Sequence, residues 1–249
     1  MPSKKGRVYR GEPYLFYLVC IELMTYPSVK VESSFWDQGC FRVVGVDDVG
    51  LGPICGPVLA CAVLLPTYCD LIEGVRDSKQ LSAGQREYLA PRIRAQALAI
   101  GIGAASVREI ESLNVRRASH LAMRRALARI GAYDHALIDG LPIRDVDLGP
   151  HSTIVDADAQ CYSVACASII AKVTRDRLME RLARRFPHYG WERNAGYGTR
   201  EHLQAVRQHG VTPYHRRGFA PIRDLLRPNE GDDACRDRSR MRVDRQPNG

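Results

Sequence analysis

Four aspartates follow short apolar runs in this chain, and carboxylates placed in this way can bind metal ions. They are Asp47, Asp48, Asp139 and Asp158. Each lies at or just after a run of apolar residues of the length expected for a buried strand. Open α/β sheets place their sites at the strand ends. If the strands lie side by side, the four carboxylates repel one another, and their pKa values rise unless cations lie between them.

A cluster of four carboxylates favours particular metals and a particular reaction. Oxygen ligands suit a hard cation, Mg²⁺ or Mn²⁺, rather than zinc. Two such ions about 4 Å apart would hold the attacking water and the leaving oxygen of a phosphodiester during in-line displacement. A single Asp beside a glycine is usually a turn residue. The prediction of metal-assisted hydrolysis therefore depends on the four acids converging.

The charge and the cysteine content restrict the partners and the compartment. Formal net charge is +8 over 249 residues, which favours a polyanionic partner such as nucleic acid, although a solvated surface would also carry it. None of the eight cysteines forms a CxxC pair, and the chain is too large to need disulfides for stability, which favours a reducing cytoplasm. The basic N-terminus and the apolar run 14–24 resemble a signal peptide, but Glu22 interrupts a run that is too short to span a membrane. We expect a cytoplasmic monomer without a membrane segment.

Apolar runs and helical patterns alternate along the chain, which indicates an α/β domain. We predict strands at residues 41–46, 58–65, 99–104, 135–138 and 153–155, and helices at 82–98, 106–128, 163–185 and 200–208. Ser82 is a possible N-cap, and Pro91 suggests a kink or break. Residues 1–40 are predicted to be an N-terminal extension of uncertain order, 41–226 the catalytic domain and 227–249 a disordered tail.

The glycine-rich segment at residues 50–56 allows two interpretations. It resembles a dinucleotide-binding loop, but the spacing is GxGxxxG, and Pro53 removes an N–H group that such a loop could use. Gly50 and Gly52 instead suit close backbone contact with a sugar, where a 2′-hydroxyl distinguishes RNA from DNA.

Ordered motifs from about residue 41 to residue 223 resemble those of the ribonuclease HII family. They lie at residues 44–53 with 56–58, 76–82, 110–114, 122–126, 137–140, 167–176, 196–199 and 215–221. The resemblance implies an RNase H-like mixed β-sheet flanked by helices, with a small C-terminal helical region. It also implies a two-metal endoribonuclease that uses Mn²⁺ or Mg²⁺. Such an enzyme cuts the RNA strand of RNA–DNA hybrids and nicks DNA duplexes 5′ to an embedded ribonucleotide, leaving 3′-hydroxyl and 5′-phosphate ends.

The resemblance also implies roles for particular residues. Asp47, Asp48 and Asp139 fall on the first three acids, which hold metal. Asp158 is chosen over Asp156 as the fourth catalytic acid because it has the family's ten-residue spacing to the helix motif.

Other positions match the family's contacts with nucleic acid. Gly50 and Gly52 match backbone contacts to the ribose 2′-hydroxyl. Tyr197 matches the aromatic that stacks on a sugar at the RNA-to-DNA junction, although a core tyrosine that anchors its loop is the alternative. Lys79 and Lys172 are predicted phosphate contacts, and exposed lysines can also be solvated charge alone.

Three positions depart from the family pattern. Asp48 stands where Glu is usual, Leu51 replaces an Arg between the two glycines, and Gly218 replaces a Ser. The shorter carboxylate of Asp48 matters because metal–oxygen distances tolerate only about 0.2 Å. The alternative function is therefore a hybrid-binding homologue with impaired catalysis. A glycosidase using paired carboxylates is weaker, because it needs only two acids and does not explain the basic charge.

Overall fold

The computed structural model of the chain describes residues 26–227. The apolar run 14–24, most of the predicted N-terminal extension and all but the first residue of the predicted tail lie outside these residues. Between residues 26 and 227, no helix is long and apolar enough to cross a lipid bilayer.

A five-stranded mixed sheet has the strand order β3-β2-β1-β4-β5. The strands are β1 (Val43–Val49), β2 (Val58–Leu64), β3 (Ala99–Ala105), β4 (His135–Asp139) and β5 (His151–Ile154). β1 pairs antiparallel with β2 and parallel with β4, and β4 pairs parallel with β5. β2 is buried at every position, which explains its continuous apolar sequence. The sheet confirms the prediction of a mixed α/β fold.

Helices occupy much of the remaining described chain. They are α1 (Lys30–Trp36), α2 (Ala83–Gln96), α3 (Val107–Leu113), α4 (Val115–Ile130), α5 (Ala157–Gln160), α6 (Tyr162–Arg185), α7 (Trp191–Asn194), α8 (Arg200–His209) and α9 (Ala220–Leu226), with 3₁₀ turns at Ser78–Gln80 and Pro187–Tyr189. The described residues divide into two compact units. The first unit comprises residues 26–49, 59–104 and 120–174, and the second comprises 50–58, 105–119 and 175–227.

The core of the first unit lies where β2, α2 and the first part of α6 meet. Its buried members include Val63, Ile93 and Ile169. β1 approaches the start of α6 so closely that a Cβ atom on Gly45 would lie 2.2 Å from the carbonyl carbon of Ser163. Only glycine permits that approach, so the sequence at position 45 determines how near the acid-bearing strand lies to this helix.

Helix α1 lies within the predicted N-terminal extension and is joined to the start of α6. Glu32 and Trp36 of this helix are buried. One carboxylate oxygen of Glu32 accepts hydrogen bonds from the backbone N–H and the hydroxyl of Ser163, at 2.8 and 2.7 Å. Glu32 thereby satisfies an N–H group of the first turn of α6, which has no partner inside the helix.

The second unit has its own apolar core. Buried side chains from the C-terminal part of α6, from the 3₁₀ turn and from α7 and α9 form it; examples are Met179, Tyr189, Trp191 and Ile222. This unit contains the small C-terminal helical region that the resemblance implies.

Several element boundaries differ from the predictions. β1 continues to Val49, so Asp47 and Asp48 lie inside the strand rather than after it. Ser82 does cap α2, but the helix runs through Pro91 without a break, because Pro91 is exposed and water can reach the carbonyl that loses its partner. The predicted helix 106–128 is two helices, separated at Asn114 with a φ of 69°. Asn114 combines this positive φ with an extended ψ of 164°, a non-helical conformation that ends α3.

Candidate active site

Asp47 and Asp139 lie on neighbouring parallel strands. In the pairing of β1 with β4, Val46 lies opposite Ile138, so each acid is the next residue on its strand. Parallel strands run in the same direction, so both acids come to the same end of the sheet. The strand adjacency that the sequence left open is therefore settled for these two residues.

Asp47 is buried among the other predicted acids. Its exposed fraction is 6%, and it accepts a hydrogen bond of 2.6 Å from the backbone N–H of Asp48. Burial raises the pKa of Asp47 well above its ordinary value, and the charges of Asp48, Asp139 and Asp158 raise it further. The structure thus brings the other three predicted acids close enough to Asp47 for their charges to act on it.

Asp139 and Asp158 are held by short local contacts. The backbone N–H of Ala157 donates to Asp139 at 2.7 Å, and burial raises the pKa of Asp139. Asp158 lies in α5 and is buried; burial, together with a hydrogen bond to Asp77, raises its pKa to about 6. Asp156, the rejected alternative, is exposed at the N-cap of α5. This difference in burial supports the choice of Asp158, whose catalytic role stays a prediction.

Lys79 contacts the acids directly. Its ammonium nitrogen lies 3.5 Å from Asp158 and 3.9 Å from Asp77. Burial opposes its charge, but the attraction of four aspartates, Asp158 first, raises its pKa overall. Asp77 was not selected from the sequence, although it lies in the motif at residues 76–82 that resembled the family. Its position beside Lys79 was the available signal.

The donor set fits a hard divalent cation. Carboxylate oxygens are the ligands that Mg²⁺ and Mn²⁺ prefer, and a cation would offset the burial and the like charges that raise the pKa values of Asp47, Asp139 and Asp158. Among residues 26–227, no three His, Cys, Asp or Glu side chains are close enough together to ligate one ion. The structure therefore places the predicted ligands in one charged cluster without arranging them in a coordination shell.

The predicted nucleic-acid contacts are divided between the two units. Lys172 is half-buried on α6 in the first unit. In the second unit, Gly52 and Tyr197 are adjacent, since a Cβ atom on Gly52 would lie 3.5 Å from the tyrosine ring. The exposed fraction of Tyr197 is 48%, so it is not a buried anchor, and its ring is accessible for stacking. Leu51 is also exposed.

A chain of hydrogen bonds behind Tyr197 has defined proton positions. The backbone N–H of Thr212 donates to Nδ1 of His215 at 2.9 Å, so Nε2 of His215 carries its proton and donates to Nε2 of His202 at 3.1 Å. The indole of Trp191 donates to the same His202 nitrogen at 3.0 Å. His202 must then donate from Nδ1 to the Tyr197 carbonyl at 2.8 Å. Both rings are neutral in this arrangement, which fixes the backbone at Tyr197.

The neutral state of His215 predicts a loss of stability in acid. Burial, then the neighbouring His202, lowers the pKa of His215 from 6.5 to about 4. Because the unfolded chain binds the proton more tightly, the stabilisation is complete above pH 6.5 and is lost as the pH falls towards 4. We expect the contribution of His215 to the free energy of unfolding to fall by about 2–3 kcal/mol across this range, while the raised pKa values of Asp47 and Asp158 act in the opposite direction. Urea unfolding measured at several pH values tests it.

Two variants separate His215 from other titrating groups. His215→Gln should be less stable at pH 7, and its difference in stability from wild type should shrink as the pH falls towards 4. His188→Gln, which changes an exposed histidine of the same unit, should follow the wild-type profile. Parallel profiles for wild type and His215→Gln would show that His215 does not cause the acid loss.

The fold and the acid cluster define a metal-dependent nuclease of the RNase H-like class. The family model described as Ribonuclease HII matches residues 44–222. Ribonuclease HII of Thermosynechococcus vestitus is 56% identical over 203 residues, which cover 82% of this chain and 94% of that protein. Ribonuclease HII of Paracoccus denitrificans is 50% identical over 206 residues, covering 82% and 96%. The chain belongs to the ribonuclease HII family and is an endoribonuclease.

Solved structures agree with this assignment. The crystal structure of ribonuclease H2 from Pyrococcus horikoshii OT3 matches with a TM-score of 0.59 and 27% identity, over 74% of this chain and 96% of that one. Bst-RNase HIII in complex with Mn²⁺ matches with a TM-score of 0.60 and 19% identity, over 75% and 70%. These matches confirm the RNase H-like fold.

Proposed function

We propose that the chain hydrolyses the RNA strand of RNA–DNA hybrids and nicks duplex DNA 5′ to embedded ribonucleotides, leaving 3′-hydroxyl and 5′-phosphate ends. The observation that carries this proposal is the pairing of parallel strands that brings Asp47 beside Asp139, with Asp158 buried near them. Four carboxylates in one cluster suit metal-assisted phosphodiester hydrolysis better than a two-acid glycosidase mechanism.

Asp47, Asp48 and Asp139 would hold the metal, with Asp158 as the fourth catalytic acid. Members of the family depend on divalent metals, and bound Mn²⁺ or Mg²⁺ would supply the positive charge that activates water and neutralises the phosphate. The hydrogen bond from Ala157 would keep the Asp139 carboxylate oriented towards the ion. Lys79 would hold Asp158 in place and would meet an incoming phosphate with its exposed end.

The second unit supports binding of nucleic acid. Its described residues contain fifteen arginines and no lysine, against seven acidic residues, so the net positive charge of the chain is concentrated there. Arginine binds phosphate through two parallel hydrogen bonds, which suits a polyanionic partner. Tyr197 would stack on a sugar at the RNA-to-DNA junction, and the backbone at Gly50 and Gly52 would contact a ribose 2′-hydroxyl. Lys172 would contact phosphate.

A nicking assay tests this function directly. A DNA duplex with one internal ribonucleotide is incubated with the protein and Mg²⁺ or Mn²⁺. We expect one cut, immediately 5′ to the ribonucleotide, and no cut in the all-DNA duplex. Absence of cleavage with either metal, under conditions in which a known ribonuclease HII is active, would refute the proposal.

The second candidate is a hybrid-binding homologue with impaired catalysis, and Asp48 and Leu51 favour it. Asp48 lies on β1 beside the buried Asp47, where a carboxylate shorter by one methylene changes its reach towards a metal. We expect that wild-type turnover lies within about tenfold of that of Asp48→Glu, a difference of roughly 1.4 kcal/mol in barrier height. Negligible wild-type turnover that Asp48→Glu restores would favour the second candidate.

The finer assignments are also part of the proposal. The family-model match to residues 44–222 supports a catalytic domain at 41–226. Six cysteines among the described residues are free thiols, which supports a reducing cytoplasm. Because one chain carries every predicted site residue, we propose that it acts as a monomer.

A further inference from the structure

Two buried arginines bind the backbone of the glycine-rich loop at residues 50–57. Arg175 and Arg216 are each 0% exposed, and neither forms an ion pair with a carboxylate within residues 26–227. Burying a guanidinium without a carboxylate partner is costly unless its N–H groups are satisfied by other acceptors. Backbone carbonyl oxygens supply those acceptors here.

Each guanidinium donates three hydrogen bonds. Arg175 donates to the carbonyls of Pro57, Ala195 and Cys55 at 3.2, 2.8 and 3.0 Å. Arg216 donates to those of Gly56, Leu51 and Gly50 at 2.9, 3.1 and 2.7 Å. The two side chains thus donate hydrogen bonds to five of the eight carbonyl groups of the loop.

The backbone of Arg216 donates a hydrogen bond to a sixth carbonyl group of the loop. Its N–H donates to the carbonyl of Ile54 at 2.8 Å. Within residues 26–227, the amides of Leu51 and Gly52 donate no hydrogen bond to protein. Six carbonyl groups of the loop therefore accept hydrogen bonds from the two arginines, while the amides of Leu51 and Gly52 remain available as donors.

The position of the Arg175 side chain requires glycine at residue 50. Its φ is +97°, and a Cβ atom there would lie 2.5 Å from Nε of Arg175. The absence of a side chain at position 50 thus permits the contact with Arg175. Gly52, by contrast, faces the half-exposed ring of Tyr197, the residue predicted to stack on the substrate.

We propose that Arg175 and Arg216 are positioning residues that set the preference of this loop for a ribonucleotide. They hold the carbonyl groups away from the nucleic acid, so that the loop offers the N–H groups of Leu51 and Gly52 to the 2′-hydroxyl oxygen of a ribose. A loop turned the other way would present carbonyl oxygens, which repel phosphate oxygens. This inference rests on the proposed function, because it assumes that the loop contacts the substrate.

Charge-preserving variants test the role of the planar guanidinium. Lysine keeps the positive charge but cannot donate to three fixed carbonyls from one plane. For Arg216→Lys and Arg175→Lys we expect KM for the single-ribonucleotide duplex to rise about tenfold, as expected for the loss of one well-placed hydrogen bond. Affinity for the all-DNA duplex and kcat should change by less than about threefold. The measured quantity is the affinity for the single-ribonucleotide duplex, taken from its KM, divided by the affinity for the all-DNA duplex. The melting temperature is recorded for each variant.

Arg217→Lys is the matched control. Arg217 is the next residue, but it is exposed, so this variant should leave the affinity ratio unchanged even if both affinities fall. If Arg216→Lys and Arg175→Lys keep the wild-type ratio within about twofold while remaining folded, the inference is wrong. If wild-type protein itself does not prefer the ribonucleotide duplex, the proposed function fails instead.

A measurement that needs no change at either arginine covers the case in which those variants do not fold. Amide hydrogen exchange is followed at Leu51 and Gly52 in the presence of Mg²⁺. The Asp139→Asn variant is used, because this substitution should prevent cleavage of the duplex during the measurement. Both amides should exchange rapidly in the free protein and become protected by the single-ribonucleotide duplex, but not by the all-DNA duplex. Equal protection by both duplexes, or by neither, would overturn the inference.

Discussion

Asp47→Asn is expected to lower the rate of nicking at an embedded ribonucleotide by about a thousandfold or more, because it removes a charged oxygen that we propose as a metal ligand. Asp47 is buried, and the charges of the other three acids act on it. Single-turnover cleavage with saturating protein measures the chemical step directly.

Asp156→Asn is the control for this substitution. Asp156 is exposed at the N-cap of α5 in a left-handed conformation, which asparagine adopts readily. Its nicking rate should stay within about threefold of wild type, since an exposed carboxylate in water contributes little to the buried cluster. If Asp156→Asn lost as much activity as Asp158→Asn, the assignment of the fourth acid would be wrong.

Asp47→Asn should also stabilise the metal-free protein. Burial and the three neighbouring charges raise the pKa of Asp47, so its ionised form opposes folding at neutral pH. A neutral side chain of the same shape removes that cost, and the melting temperature should rise while activity is lost. This pair of opposite changes separates a ligand residue from one whose replacement merely damages the fold.

Adding Mn²⁺ or Mg²⁺ to metal-stripped protein is expected to raise the melting temperature by roughly 5–10 °C. An ion present at 100 times its Kd stabilises the folded state by about 2.7 kcal/mol, and each kcal/mol shifts the midpoint of a domain of this size by roughly 2–4 °C. The increase follows because a cation offsets the burial and the like charges that raise the pKa values of Asp47, Asp139 and Asp158. Differential scanning calorimetry with increasing metal concentration measures it.

The metal effect should disappear when the cluster is disrupted. In Asp47→Asn the added ion should shift the midpoint by less than about 2 °C, because fewer charged ligands remain. In Asp156→Asn the wild-type shift should persist. A similar shift in wild type and Asp47→Asn would place the bound ion elsewhere in the protein.

Much of the secondary structure followed from local patterns. Ser82 and the polar residues after it predicted the start of α2, and the apolar run at residues 58–65 predicted β2 to within one residue. Other boundaries depended on contacts distant in sequence. β1 extends through Asp47 and Asp48 because β2 pairs with it as far as Val49. No local pattern in two consecutive acids could have predicted that pairing.

The sequence by itself determined the class of chemistry and predicted which acids take part, because carboxylate type, spacing and motif order are properties of the chain. Only the tertiary structure decided which groups act on one another. The parallel pairing of β1 with β4 brings Asp47 beside Asp139, and the turn before α2 brings Asp77 and Lys79 to Asp158. Burial then makes their mutual charges strong, since screening by water is lost. Tertiary structure also decides the contacts of Arg175 and Arg216. In the sequence they are two basic residues among many, and in the fold they donate hydrogen bonds to the backbone of the glycine-rich loop.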